Sequence, residues 1–393
     1  MSAWPPAPAA ADDERPAVTV APLGARLAAL GVLGRRPHDD GEPARGDGGP
    51  AFEVRRQVHS ATALFGREGP APDDAGVLFL DTETTGLAGG TGTTPFLIGV
   101  AFLDGGDLVV EQYFLRRLSG EPALLDALRP RLEEATQLVT FNGRRFDWPI
   151  LAARYVLSRR RIAPPAQHLD LMRVARRLWH RPLGTYRLAV VERLALAIDR
   201  GCDIDSAQIP GLYVHYLRTG DAAALEPVFA HNAHDVRALV DLRRRVRRWV
   251  EHGEDPPPPI DWEGLGVLRL QAAQEAAAED ALRRALRVED DPAVRWRVAR
   301  RLARVLRRTG RHDEVAAVWD REVGGRGVWR VRALLEAATA YRRARRPAQA
   351  QAALDEAAAL VEWLALCGDP AAADLDGEIR RRRRALETSR GVR

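Results

Sequence analysis

The stretch Leu78–Gly90, LFLDTETTGLAGG, decides how this chain is read. Four apolar residues, Val77 to Leu80, run straight into Asp81 and Glu83. Positions i and i+2 of a strand point to one face, so a buried strand here ends in two carboxylates on the same side. Like charges held that close repel, and each keeps the other protonated unless something positive stands between them. Taken alone, an Asp-x-Glu after a strand is a common turn and solvent feature. Its company elsewhere in the chain changes the reading.

Two further acids stand in matching contexts. Asp147, in TFNGRRFDWP, closes what reads as the next parallel-type strand, and Asp235, in FAHNAHDVRALV, falls in a helical pattern. Each has a plainer reading by itself: Asp147 as the cap of a following helix, Asp235 as a solvated helix acid. Together, in this order, four acids from strand ends and one helix can converge on a pocket. An all-oxygen cluster suits hard cations, Mg²⁺ or Mn²⁺. Two such ions roughly 4 Å apart activate a water and stabilise the leaving oxygen of a phosphodiester. In this reading the ions are the positive charge that holds Asp81 beside Glu83.

Other residues gather around the four. His231 lies four residues before Asp235, one helical turn away on the same face. A histidine there suits a general base; its plainer reading is a capping or packing role. Asp170, in QHLDLM, reads either as an acid supporting the cluster or as the cap of a helix beginning at Leu171. Asn142 and Gly143 precede RRFDWP; Asn142 is placed to bond a phosphate or sugar or to hold its own turn, and Gly143 to let a nucleotide backbone come close. Phe146 is a candidate to stack on a base. Leu87 is a candidate wedge against a terminal base, and the backbone at Thr84 a contact for the end nucleotide.

Composition narrows the class. The 393 residues carry a formal charge of +5, and every one of the 59 Lys+Arg residues is Arg. That balance is compatible with nucleic acid without establishing it. Two cysteines, Cys202 and Cys367, far apart and without zinc-like spacing, predict a reducing compartment. No apolar run reaches the length of a membrane span, and the N-terminus has acids and prolines where a signal peptide needs a basic start. A cytoplasmic location is expected.

Domain organisation follows from pattern changes. Residues 1–50 are rich in Pro, Ala and Gly and read as a disordered segment. Over 51–250, the runs GVLFLDTE, PFLIGVAFL, LVVEQYFL, QLVTFNG and AQHLDLM, interleaved with helical stretches, predict a mixed five-stranded sheet flanked by helices, an α/β architecture. Residues 251–264 contain a proline run and read as a stiff linker. Residues 265–366 have helical spacing throughout, and the segments from Leu306 and Tyr341 match at an offset of 35, a period similar to the tetratricopeptide repeat. Such an all-α unit suits a protein partner or the orientation of a substrate. Residues 367–393 read as an Arg-rich tail, with Arg380 to Arg384 in its middle.

The motifs DTETTGL, FNGRRFDWP and HNAHD, in this order, resemble those of the DEDD exonuclease superfamily, which has the ribonuclease H-like fold. More closely, Val77 to Val246 resembles the YprB-type ribonuclease H-like domain, through DTETTGLAGGTGT…FLIG, HLDLMRVARRLW and IPGLYVHYLRTGD as well. The resemblance covers under half of the chain. It implies metal-binding roles for Asp81, Glu83, Asp147 and Asp235, and 3′-to-5′ hydrolysis of DNA or RNA that releases nucleoside monophosphates. His231 stands at the spacing where the tyrosine branch of that superfamily has its Tyr; the histidine branch has its His five before the last acid. Two other readings stay open: an endonuclease on the same site, and a non-catalytic nucleic-acid- or protein-binding module.

Overall fold

The computed structural model describes residues 49–60, 74–86, 92–198, 200–201 and 203–390. The expected N-terminal segment therefore lies, but for its last two residues, outside the described residues, as do Leu87 and Cys202. The described chain forms two compact units, 1–172 with 198–243 and 173–197 with 244–393.

The first unit is built on one sheet in the order β1-β4-β3-β2-β5-β6. Its strands are β1 (Phe52–His59), β2 (Val77–Thr84), β3 (Pro95–Asp104), β4 (Asp107–Leu115), β5 (Gln137–Thr140) and β6 (His168–Asp170). β1 to β4 pair antiparallel, whereas β2–β5 and β5–β6 pair parallel. The sheet thus carries one strand more than expected. β1, FEVRRQVH, is an edge strand whose central arginines and exposed Val54 and Val58 hide any apolar run. β2 has neighbours on both sides, and its four leading residues are buried because both of its faces are covered.

Helices α1 (Glu121–Glu134), α2 (Asp147–Leu157), the start of α3 (Leu171–Leu183), α5 (Ile209–Thr219) and most of α6 (Glu226–Glu251) complete this unit. The core joins Leu80, Phe96, Ile98 and Phe114 to Tyr213 and Phe229. Tyr213 fixes α5 on the sheet: its ring stacks on Phe96 at 4.0 Å and its hydroxyl donates to the Leu115 carbonyl at 2.9 Å. Arg243 of α6 is buried and pairs with Asp74 and Gln137.

The second unit is helical. It takes α3 from Arg173, α4 (Leu188–Val191) with the turn after it, and α6 from Arg244. Three helical hairpins follow: α7 (Trp262–Gln271) with α8 (Glu275–Val288), α9 (Pro292–Arg308) with α10 (His312–Glu322), and α11 (Val328–Arg343) with α12 (Pro347–Leu366). Gly310 and Arg345 both take positive φ in the turns that close the last two hairpins, which is the structural content of the 35-residue offset. The proline-rich connection before α7 is tied in: fully buried Arg269 donates to the carbonyls of Trp249 and Glu254 at 2.9 and 2.7 Å. The Arg380–Arg384 run, read as a tail, lies inside α13 (Ala372–Arg390). Leu375, Ile379 and Leu386 bury one stripe of that helix, and Arg383 pairs with Asp355 at 2.6 Å. No helix among the described residues is long and apolar enough to cross a membrane.

Candidate active site

Asp81 and Glu83 lie on β2, and the strand shifts register between Glu83 and Thr84. Asp81 faces α6. There the fully buried Asn232 donates its amide to the Asp81 carboxylate at 3.0 Å and to the Asp81 carbonyl at 3.3 Å. Asn232 is itself held by Gln112 of β4, whose amide donates to Asn232 Oδ1 at 3.0 Å and to the Phe229 carbonyl at 2.9 Å. The approach depends on Gly99, which pairs with Asp81 across β2 and β3. A Cβ there would stand 2.3 Å from Asn232 Oδ1, inside any allowed contact. Gly99→Ala is therefore expected to cost about 1–3 kcal/mol by overpacking, and to loosen Asn232 from Asp81. Thermal unfolding checks this, and a variant that melts with the wild type would remove Gly99 from this role.

Asp147 is the first residue of α2 rather than the end of a strand, and it is buried. The chain leaves β5 and turns through Asn142, whose φ is +70° and whose carbonyl accepts from the amides of Arg145 and Phe146. This turn displaces Asp147 seven residues past the strand. Thr82, on the opposite face of β2 from Asp81 and Glu83, donates to Asp147 Oδ1 at 2.5 Å. Asp170 accepts from the Met172 amide at 3.1 Å at the start of α3, as read for a helix cap, and from the Asn142 amide at 2.8 Å in the turn. Gly143 is packed against Thr140, where a Cβ would meet the side chain at 2.5 Å. Phe146 is half-buried just before α2, and Thr84 is buried with its hydroxyl donating to the Gly86 carbonyl at 2.7 Å.

Two loop residues that the sequence did not single out complete the site. His231 Nδ1 is 2.7 Å from Asp203 Oδ1, and its Nε2 faces Asp235 at 3.6 Å and Glu83 at 3.8 Å. Arg200 lies 2.6 Å from Asp235 and 2.9 Å from Asp203. The strand acid Glu83 and the helix acid Asp235 thus touch the same imidazole nitrogen. A guanidinium and an imidazole stand beside Asp235, and the imidazole also beside Glu83.

The electrostatics agree with a crowded anionic site. Burial, then Asp235, Glu83 and Asp147, push the Asp81 carboxyl well above the usual range. Burial raises Glu83 to about 7, although the His231 charge opposes the rise. Burial raises Asp147 to about 6 against the hydrogen bond from Thr82. Burial works against charge at His231, yet Asp235, Asp203 and Glu83 together raise its pKa. Asp203 is lowered instead, because His231 and Arg200 outweigh the cost of its burial. Among the described residues, no three His, Cys, Asp or Glu side chains already stand in the arrangement of a metal cage. The donor set nevertheless fits a hard divalent cation: it is made of carboxylate oxygens that raise one another's pKa for want of positive charge.

Residues 78–247 match the model of the RNase_H superfamily, and the mixed sheet with its flanking helices is a ribonuclease H-like domain. That fold supports hydrolysis of nucleic-acid phosphodiesters in general. Over 168 residues the chain is 38% identical to the uncharacterized protein YprB of Bacillus subtilis strain 168. The aligned stretch is 42% of this chain and spans only 40% of that relative's length.

Proposed function

We propose that this chain is a metal-dependent 3′-to-5′ exonuclease that hydrolyses DNA or RNA to nucleoside monophosphates. The observation that carries the reading is the meeting of strand and helix acids: His231 Nε2 faces Glu83 at 3.8 Å and Asp235 at 3.6 Å, and Asp235, Glu83 and Asp147 all help to push up the Asp81 carboxyl. A fold gathers repelling carboxylates at a cost to stability, and cation binding offsets that cost.

In this proposal Asp81, Glu83, Asp147 and Asp235 hold two divalent ions, Mg²⁺ or Mn²⁺. When bound, the ions supply positive charge that acidifies the attacking water and offsets the leaving oxygen. The protein's own residues do the rest. Asn232 and Thr82 fix the Asp81 and Asp147 carboxylates. Asp203 accepts from His231 Nδ1, which leaves the lone pair on Nε2, on the side facing Glu83 and Asp235, free to take a proton. Asp170 anchors the Asn142–Arg144 turn. Thr84, Leu87, Asn142, Gly143 and Phe146 are the proposed contacts to the terminal nucleotides.

The test is a digestion panel of end-labelled DNA and RNA, single- and double-stranded, with Mg²⁺ or Mn²⁺ or with EDTA. Mononucleotides released progressively from the 3′ end, only with metal, are expected. Cleavage of circular or 3′-blocked substrate at the same rate would make the enzyme an endonuclease, and no metal-dependent cleavage of any substrate would sink the proposal.

A further inference from the structure

We propose that the face shared by α9 and α11 of the helical unit binds a single-stranded segment of nucleic acid, separately from the acidic site. The two helices meet at their N-terminal ends, where the rings of Trp296 and Trp329 lie 5.3 Å apart. At their other ends, Arg307 of α9 and Glu336, Thr339 and Arg343 of α11 line one recess of about 80 Å³. Between these points the helical spacing puts Trp296, Arg300, Arg304 and Arg307 on one face of α9. Trp329, Arg332, Glu336 and Arg343 share the corresponding face of α11. The result is a strip about 17 Å long with aromatic rings at one end and arginines along it.

Pairing sets the arginines of this strip apart from the others on the same two helices, Arg342 being the exception among the described residues. Elsewhere on the same helices Arg295 meets Glu322, Arg297 and Arg301 meet Glu263, Arg308 meets Glu275, and Arg330 meets Glu356. Among the described residues, no carboxylate stands within 4 Å of Arg300, Arg304, Arg307, Arg332 or Arg343, and Glu336 is taken up by Arg382 at 3.3 Å. Arg300 and Arg332 instead lie over Trp296 and Trp329, at 5.5 and 4.9 Å from the ring centroids. Five arginines left without counter-charge on one strip ask for a polyanion. An acidic peptide would supply charge but nothing for the two half-buried indoles. Single-stranded nucleic acid supplies phosphates for the guanidiniums and bases whose faces stack on Trp. The choice of occupant rests on the nuclease reading above; the charge and aromatic pattern does not.

Binding is measured on the full chain in EDTA, where no metal-dependent cleavage occurs, by fluorescence anisotropy of labelled 12-nucleotide oligo(dT) and oligo(rU). The triple variant Arg300→Ala/Arg304→Ala/Arg332→Ala changes exposed positions, and its melting curve checks that it folds. Its affinity is expected to fall ~10-fold or more, with the slope of log K against log salt reduced by about 2. Trp296→Phe/Trp329→Phe keeps aromatic rings in place and is expected to lose most of the oligonucleotide-induced tryptophan quenching. Unchanged affinity and salt slope in the folded triple variant would overturn the proposal. So would arginine-dependent binding of a polyglutamate peptide with none of either oligonucleotide, which would make the strip a docking site for an acidic protein. Arginine-dependent binding by a wild type that digests nothing would uphold this strip and sink the nuclease reading alone.

Discussion

Asp81→Asn is expected to abolish metal-dependent hydrolysis, by ~10³-fold or more, and at the same time to make the metal-free protein harder to unfold. The two effects have one cause. The half-buried Asp81 carboxyl shares its surroundings with Asp235, Glu83 and Asp147, and each raises the free energy of its ionised state. The isosteric amide keeps an acceptor for Asn232, so the hydrogen bond at 3.0 Å survives while the charge is removed. Relief of on the order of 1 kcal/mol moves the melting temperature by a few degrees in a unit of this size. A sign follows for pH as well. Folding raises Glu83 to about 7 and Asp147 to about 6, above the unfolded carboxylate range. Groups shifted upward bind more protons folded than unfolded, so the stability tied to them is full below the unfolded pKa and is lost as pH rises through the folded one. Metal-free wild type should therefore melt lower at pH 8 than at pH 6, and Asp81→Asn should show a smaller difference. Mg²⁺ or Mn²⁺ should restore the wild type at pH 8 and do little for the variant. Calorimetric or fluorescence melting in EDTA and in metal reads all of this. Full metal-dependent activity in Asp81→Asn would show that the site has been misassigned.

The same crowding explains which parts of the site could be read from sequence. Asp81 and Glu83 were visible because a strand's two-residue alternation fixes their common face once the apolar run is recognised. Asp147 was visible as an acid but misplaced on a strand, because the left-handed Asn142 and the turn to Phe146 insert a corner that periodicity does not register. Gly99 offered a signal that was passed over: a glycine inside the strand PFLIGVAFLD marks a close approach, here of Asn232. Asn232 sat in the quoted HNAHD without a role, since only the buried contact to Gln112 distinguishes it from a solvated helix residue. Arg200 and Asp203 had no signal at all. They lie in a stretch without helical or strand period, Asp203 28 residues before His231 and Arg200 further still before Asp235. β1 was missed for a related reason: an edge strand with Arg55 and Arg56 at its centre has no continuous apolar face, and only its pairing with β4 makes it a strand.

His231→Ala is expected to lower kcat by ~10²–10⁴-fold while leaving KM and metal affinity close to wild type, the range general acid–base groups supply. The split follows from geometry. His231 contributes no carboxylate to the metal donor set, but its Nε2 stands between Glu83 and Asp235, where an attacking water would need its proton taken. Asp203→Asn tests how that imidazole is held. Asp203 Oδ1, at 2.7 Å from Nδ1, fixes the tautomer and ring orientation, and the raised pKa of His231 owes part of its shift to that bond. The amide can turn its NH₂ toward Nδ1 and stabilise the opposite tautomer, so Asp203→Asn should lower kcat in the same sense as His231→Ala. Combining the two substitutions should then cost little more than His231→Ala alone, because both remove one function. Asp203 also pairs with Arg200, so a fully additive double variant would mean that Asp203 acts through Arg200 and Asp235 rather than through the histidine. Single-turnover rates on a labelled oligonucleotide, with metal affinity measured separately by titration, decide among these outcomes. A His231→Ala enzyme as fast as wild type would leave the carboxylate site standing and move the proton acceptor to another group.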